Sequence, residues 1–547
     1  MKQAVVLALA LAGLLACGDP GPGPAGGDAA SGARPSIVFL SIDTLGAGST
    51  SLHGYARDTT PHLLALAAES VVFDRCLANA PFTGPSYVSQ FTGLLPKCSA
   101  IDREEFRALH GRAPRAWEIL RVPEERVTLT ELLRSAGYRT AAFVDNPQLR
   151  PALGIGQGFE VYDTAAAEIT ARDPQGGIRA LVPRALEWID GLGPDEPFFL
   201  FVNALDPHEP YLPPPEFKDR FADDPHGPPD LELPVGEGGF AVVDLSDVRD
   251  YYEKPPYPER MRTAPIVARY DEEVRAVDEA LGALFAELRR RGRLDGAILI
   301  VTADHGEALS QPDYKFGHGT HVEQVLHVPF LLRLPGGAHG GTRVATPVQL
   351  LDLYPTLAEL AALAPPEGLQ GRSIVPLLAG QALEPRPIFH ENGRLASGSV
   401  TEGEWRLVVT SPGARVQCVL SARGRAWLAE NYPDLGPDYF LKSMGAALAS
   451  GPRAKHAMAE ARAALRGPFA ELYHLPSDPH LLRDVSSDHP EIVERLQAHL
   501  RASQERSALE RRRLPVKPDP VLPEVDMEEL RGLGYVGDDD EELERSE

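Results

Sequence analysis

Basic residues are in short supply. The 547 residues include 54 Lys and Arg against 78 Asp and Glu, for a net charge of −24. Nucleic acid is therefore not an expected partner, because duplex binding depends on clustered Lys and Arg that neutralise phosphates. An anionic small ligand stays open, since a bound cation and histidines make a pocket locally positive. Long apolar runs are also scarce. The stretch from Ala4 to Ala16 is 13 residues, too short to span a bilayer. No internal repeat is evident. Cysteine is rare, with four residues in all, at 17, 76, 98 and 418. At 43% hydrophobic and 24% charged, the chain is of ordinary globular composition, which excludes disorder throughout.

The amino terminus carries an export pattern. Lys2 supplies the charge, Ala4 to Ala16 the apolar stretch, and Leu14-Leu15-Ala16-Cys17 has the form of a lipobox. On that reading residues 1–17 are a lipoprotein signal and Cys17 becomes the lipidated first residue. An ordinary signal peptide with a coincidental cysteine is the alternative. Residues 18–35, rich in Gly and Pro, then form a tether. The expected location is the bacterial cell envelope, with the membrane reached through the lipid anchor. Three cysteines remain after Cys17, so at most one bridge can form, and Cys76–Cys98 is the pairing considered.

From Ser36 onward, apolar runs alternate with helical stretches, the pattern of an α/β sheet. Ile37 to Ile42 and Ala297 to Thr302 read as fully buried parallel strands. Arg139 to Val144, Pro197 to Val202 and Pro329 to Leu334 read as further strands. Thr60 and Pro61 read as the N-cap and first residue of a helix. Tyr270 to Arg290 is the clearest helix, with Val274, Val277, Leu281, Leu284 and Leu288 at three- and four-residue spacing. Residues 213–260, rich in proline and acids, read as a long excursion over the site. A second region starts near Pro385, with strands at Ile388 to His390 and Trp405 to Val409 and a closing helix from Glu491 to Ala502. The expected division is 36–384, 385–510 and an extension 511–547 that ends in a solvated acidic tail.

Three segments carry chemistry. Asp43 follows the first strand, Asp304 and His305 follow the strand at 297–302, and Thr83 precedes Pro85 where a helix is expected to start. In open α/β sheets, ligands bind outside the carboxyl ends of the strands. Two carboxylates, an imidazole and a hydroxyl meeting there would hold a divalent ion and activate the hydroxyl. Such an ion takes bound water from a pKa of about 16 to about 7, and an alkoxide gains in the same direction. Taken singly, Thr83 is also readable as an N-cap and Asp43 as a turn-capping residue. Gly306 permits a close turn beside the ligands. His208, His318 and His321 add imidazoles beside glycines or acids, each a candidate for substrate binding or for ordinary structural use.

The chain resembles the sulfatase-type enzymes of the alkaline-phosphatase superfamily. The resemblance rests on Asp43-Thr44-Leu45, His53-Gly54-Tyr55, Thr83-x-Pro85-Ser86, Phe91-Thr92-Gly93-Leu94 and Thr302-x-Asp304-His305-Gly306-Glu307. Gly317-His318-Gly319, Glu471-Leu472-Tyr473-His474-Leu475 and Leu530-Arg531-x-Leu533-Gly534-Tyr535-Val536-Gly537 extend it over residues 36–537. It implies a central mixed, mostly parallel sheet flanked by helices, with a smaller α+β carboxy-terminal subdomain. It also implies one divalent metal ion (zinc, manganese or calcium) on Asp43, Thr83, Asp304 and His305. Thr83 would be the nucleophile, with His208 and His318 catalytic and His208, His318 and His321 facing an anionic ester substrate. The adjacent imidazole leans towards zinc or manganese over calcium.

Three departures shape the expectation. Typical sulfatases carry Cys or Ser, oxidised to formylglycine, where this chain has Thr83. Its Cβ methyl would make the oxidation product a ketone, so no formylglycine is expected and phospho-type ester chemistry is slightly favoured over sulfate. Tyr87 stands in place of an arginine, and Asp145-Asn146-Pro147 in place of a lysine and histidine. The alternative is therefore a catalytically impaired protein of this fold that binds anionic glycans or lipids.

Overall fold

The computed structural model describes residues 34–99, 122–149, 154–165, 177–209, 211–230, 232–234, 260–309, 317–392, 397–410, 430–431 and 469–514. The leader with Cys17, Cys418, the motif at 530–537 and the acidic tail lie outside them.

An eight-stranded sheet forms the centre. Its strands are β1 (Ile37–Ile42), β2 (Val71–Phe73), β3 (Arg139–Val144), β4 (Val161–Asp163), β5 (Phe198–Ala204), β6 (Ile298–Ala303), β7 (Phe330–Arg333) and β8 (Thr342–Val344). The spatial order is β8-β2-β7-β6-β1-β5-β3-β4. From β6 to β4 all pairs are parallel, and β7 runs antiparallel to both β6 and β2. The sheet is mixed and mostly parallel, as expected. Because β1 lies between β5 and β6, with every residue buried, its run of apolar side chains lacks alternation.

Two groups of helices pack with this sheet. The first comprises α1 (Pro61–Leu66), α4 (Ile178–Asp190) and α5 (Thr263–Arg290); the second comprises α2 (Thr83–Thr92), α3 (Leu129–Ser135) and α7 (Leu353–Leu360). A short helix, α6, spans Glu323–Leu326. On the α2 side, Phe91 meets Phe39 and Phe201 at ring-centroid distances of 6.2 and 5.1 Å, which fixes the helix over β1 and β5.

Several local readings need correction. Helix α5 begins at Thr263, seven residues before the expected start at Tyr270, because Pro265 sits in a first turn whose N–H groups lack helical partners anyway. Thr60 occupies the N-cap position but its side chain does not cap. Its Oγ1 accepts from Leu52 N, and the free amides of His62 and Leu63 donate to the Asp278 carboxylate at 2.8 and 3.0 Å. No bridge joins Cys76 and Cys98, since both are buried free thiols. Cys76 is paired within the short strand Cys76–Leu77, whereas the Cys98 thiol points at Gln370 Oε1, 3.4 Å away. The excursion is described only in part: within 211–230, Arg57 donates to the carbonyls of Phe221 and Asp224 and to Asp271 on α5.

The carboxy-terminal sheet is antiparallel, in the order β9 (Ile388–Asn392), β10 (Ser397–Glu402), β11 (Trp405–Thr410) and β12 (Phe469–His474). Helix α8 (Pro490–Arg512) closes it, with Leu496 and Leu500 buried against Val400, Leu407 and Leu472. The sheet is tied to the main body by a charged group. Arg406, fully buried, donates to Glu323 Oε2 at 2.8 Å, and Arg75 reaches Glu323 Oε1 at 3.1 Å.

Burial alone would raise the Glu323 pKa, but Arg406 and Arg75 outweigh it and hold the group at about 2. An unfolded glutamate titrates near 4.3, so the folded state favours the ionised form. That contribution is complete above the unfolded pKa and fades as pH falls towards 2. It amounts to about 3 kcal/mol. The stability gap between wild type and Glu323→Gln should therefore narrow as pH falls from 5 to 2, read as urea midpoints.

Candidate active site

Three chain segments meet at the carboxyl ends of β1 and β6. Asp43 leaves β1 with its amide bonded to Ala204 O at 2.9 Å. Thr44 follows in the left-handed region, φ 53°, which is costly for a β-branched residue. Both its backbone groups are tied down: its N–H donates to Asp304 Oδ1 at 3.3 Å and its carbonyl accepts from the Tyr270 hydroxyl at 2.7 Å. The turn after β6 presents Asp304 and His305, and His305 N donates to Asp304 Oδ1 at 2.8 Å. Gly306 makes that turn possible. A Cβ there would lie 2.1 Å from Gln324 O, and its amide donates to Val325 O at 2.8 Å.

Thr83 is the first residue of α2, with Phe82 as N-cap, one position inside the cap that Pro85 suggested. Ser86, one turn on, donates to Asp304 O at 2.7 Å and locks the helix to the ligand loop. Thr83 Oγ1 lies 3.4 Å from Asp43 Oδ2 and 3.3 Å from His305 Nε2. The His305 tautomer follows from its neighbour. Nδ1 lies 3.0 Å from Gly306 O, which can only accept, so Nδ1 carries a proton and Nε2 is the nitrogen left to face a cation.

Asp43, Asp304 and His305 offer ligand atoms that all lie within 4.8 Å of one another. The test of fit is in the carboxylates. Asp43 Oδ1 and Asp304 Oδ2 are buried without a hydrogen-bond partner, a costly arrangement unless a cation is near. Burial and then the Asp304 charge drive the Asp43 pKa well above the usual carboxylate range, opposed by the Asn146 hydrogen bond. Burial also raises Asp304, against the pull of His305. Two carboxylate oxygens, an imidazole nitrogen and a hydroxyl suit a divalent ion, whose charge would reverse those shifts.

The remaining predicted residues divide. His318 stands close by, its ring 4.6 Å from His305, 5.2 Å from His208 and 5.4 Å from Phe82. Its Nδ1 is 3.6 Å from Glu307 Oε1. His208 is buried, and burial lowers its pKa to about 4. Its Nδ1 donates to Glu209 O at 2.7 Å, so Nε2 accepts. His321 is not brought into this cluster. Its ring nitrogens bond to Ser399 Oγ at 2.9 Å and Ser397 Oγ at 3.0 Å, because the residue faces the carboxy-terminal sheet.

Sequence reasoning missed Asn146, which donates to Asp43 Oδ2. The same residue accepts from Gln148 N at 2.7 Å, and Gln148 Oε1 accepts from Gly84 N at the start of α2, at 3.3 Å. The only signal was its place after β3, at the same sheet edge as the ligands. Tyr87 points inward: its hydroxyl donates to Ser41 Oγ at 2.8 Å and accepts from Asn203 at 2.6 Å.

A family model described as Sulfatase matches residues 35–363. The chain belongs to the sulfatase family. The chain is 24% identical over 438 residues to the N-acetylgalactosamine-6-sulfatase of Canis lupus familiaris, covering 74% of each chain. To the ulvan-active sulfatase of Formosa agariphila it is 24% identical over 376 residues, 63% of this chain and 65% of that one. Its fold is similar to the crystal structure of the phosphonate monoester hydrolase of Agrobacterium radiobacter. The TM-score is 0.60 at 18% identity, over 87% of this chain and 96% of that chain.

Asn146→Ala removes the donor that orients Asp43. Divalent-ion affinity should fall about 10- to 100-fold, measured by competition of the purified protein against a chelator with manganese or zinc.

Proposed function

We propose that this sulfatase-family protein hydrolyses anionic esters through Thr83, with Asp43, Thr83, Asp304 and His305 holding a divalent ion. The observation that carries the reading is the contact of Thr83 Oγ1 with Asp43 Oδ2 and His305 Nε2 at 3.4 and 3.3 Å. The ion would supply Lewis acidity that lowers the pKa of the hydroxyl. Thr83 Oγ1 attacks phosphorus or sulfur and forms a threonine ester while the bond to the leaving alcohol breaks. The hydroxyl proton passes to the Asp43 carboxylate, to which Thr83 Oγ1 already donates, and the leaving oxygen gains one from His318 or His208. His208 is neutral in the free protein; an anionic substrate beside it favours the imidazolium. Water then cleaves the threonine ester.

Phosphate or phosphonate esters are favoured over sulfate. Without an aldehyde hydrate to collapse, the intermediate must be opened by water, which suits phosphorus better. A fold shared with a phosphonate monoester hydrolase is in keeping with this. Zinc or manganese is the preferred ion, on account of the imidazole. Tyr87 is bonded into the interior and Asn146 to Asp43, so neither position offers an anion the cationic partner that family members carry. This favours, as a second reading, a protein that binds anionic glycans or lipids without turnover.

A panel of aryl phosphodiesters, phosphonate monoesters, phosphate monoesters and sulfates separates the readings. Thr83→Ala should cost at least about 10³-fold in kcat on the preferred ester while Thr83→Ser keeps measurable turnover. Equal turnover by Thr83→Ala would overturn the nucleophile, and metal-dependent turnover of any ester would overturn the pure binder. We also propose that the protein is exported and anchored through lipid on Cys17. Cys17→Ser should move it from the membrane to the soluble fraction of fractionated cells.

A further inference from the structure

His318 owes its place to a five-residue segment, Gly317 to His321, that is fixed at several points. On one side it meets the nucleophile loop. Gly319 N donates to Pro81 O at 3.1 Å, and Gly319, at φ +90°, packs so near Phe82 that a Cβ would lie 2.6 Å from its ring. At its start, Gly317 O accepts from Ala308 N at 2.9 Å, next to Glu307. On the other side it meets the carboxy-terminal sheet. Asn392 at the end of β9 donates to Gly319 O at 2.8 Å, Arg406 on β11 donates to His321 O at 2.8 Å, and Ser397 and Ser399 on β10 hold both His321 ring nitrogens.

We infer that the carboxy-terminal sheet, acting through His321 and Asn392, is the positioning element for His318 at the active site. This rests on the proposed role of His318 at the leaving oxygen. His321 is 3% exposed, and its ring, with a serine hydroxyl on each nitrogen, cannot turn without giving up two bonds inside the protein. The carbonyls either side of Thr320 are each held by a side chain of the sheet. His318 is one residue before the first of these anchored carbonyls, so a shift of the sheet edge moves its imidazole relative to His305 and His208. A misplacement of about 1 Å at a reacting group costs on the order of 10²-fold in rate. His321 is thus a positioning residue, and Ser399 and Asn392 are its partners in that role.

The test is a double-mutant cycle on an aryl ester with a poor leaving group. Ser399→Ala and Asn392→Ala should each lower kcat 10- to 100-fold with KM within about twofold, and Ser399→Thr, which restores the hydroxyl, should recover most of the loss. In a His318→Ala background, the Ser399 and Asn392 changes should have no further effect. If their effects multiply with that of His318→Ala, or if kcat is unchanged while the melting temperature falls, the sheet is only structural and the inference is overturned. A second readout does not need turnover. The imidazole 15N resonances of His318, identified by their loss in His318→Gln, should shift in Ser399→Ala while those of His208 stay in place; unmoved His318 signals overturn the inference. Wild-type protein inert on every ester would sink the proposed hydrolysis alone and leave this spectroscopic result standing.

Discussion

Two carboxylates buried side by side set the terms for this molecule. Asp43 and Asp304 are both 0% exposed, at the ends of adjacent parallel strands, each with an oxygen that no hydrogen bond satisfies. A protein interior tolerates such a pair only with proton uptake or a nearby cation. The surrounding structure is arranged to hold that arrangement open. Thr44 keeps a left-handed backbone to donate to Asp304, Asn146 donates to Asp43, and Ser86 fixes α2 against Asp304 O. The sheet provides the distance, since parallel neighbours in register bring their carboxyl ends level.

The same logic accounts for the placement of Thr83. Its hydroxyl is held by a carboxylate and an imidazole nitrogen, at the start of a helix whose first amides and dipole attract negative charge. His208 and His318 complete the surround, within ring-contact distance of one another. At the site, the His305 and His208 rings each have Nδ1 fixed by a backbone carbonyl. Both histidines therefore enter the site with their ring orientations already chosen.

Much of this was legible in the chain because the strands at the centre are apolar on both faces and the ligands follow them directly. β1 and β3 match the expected spans residue for residue, and the acids after β1 and β6 meet as the motif order implies. What stayed hidden depends on contacts between segments distant in sequence. His321 and His318 share one glycine-rich segment, yet one turns to the site and the other to serines some 76 residues later; spacing alone cannot assign sides. Asn146 looked like a lost lysine-histidine site, but its amide orients Asp43. Thr60 had every mark of a capping residue, and Asp278, 216 residues away from His62, does the capping. Cys76 and Cys98 are close in sequence, but sit in separate clusters.

Gly306 carries a consequence for how the molecule comes apart. With no room for even a methyl between it and Gln324 O, the loop bearing Asp304 and His305 rests directly on α6. The first residue of that helix, Glu323, is the anchor for Arg406 in the outer sheet. Ligand loop, helix and outer sheet are thus joined in series. Melting of the small sheet and release of a bound ion should consequently coincide as one thermal event, in place of two separable steps.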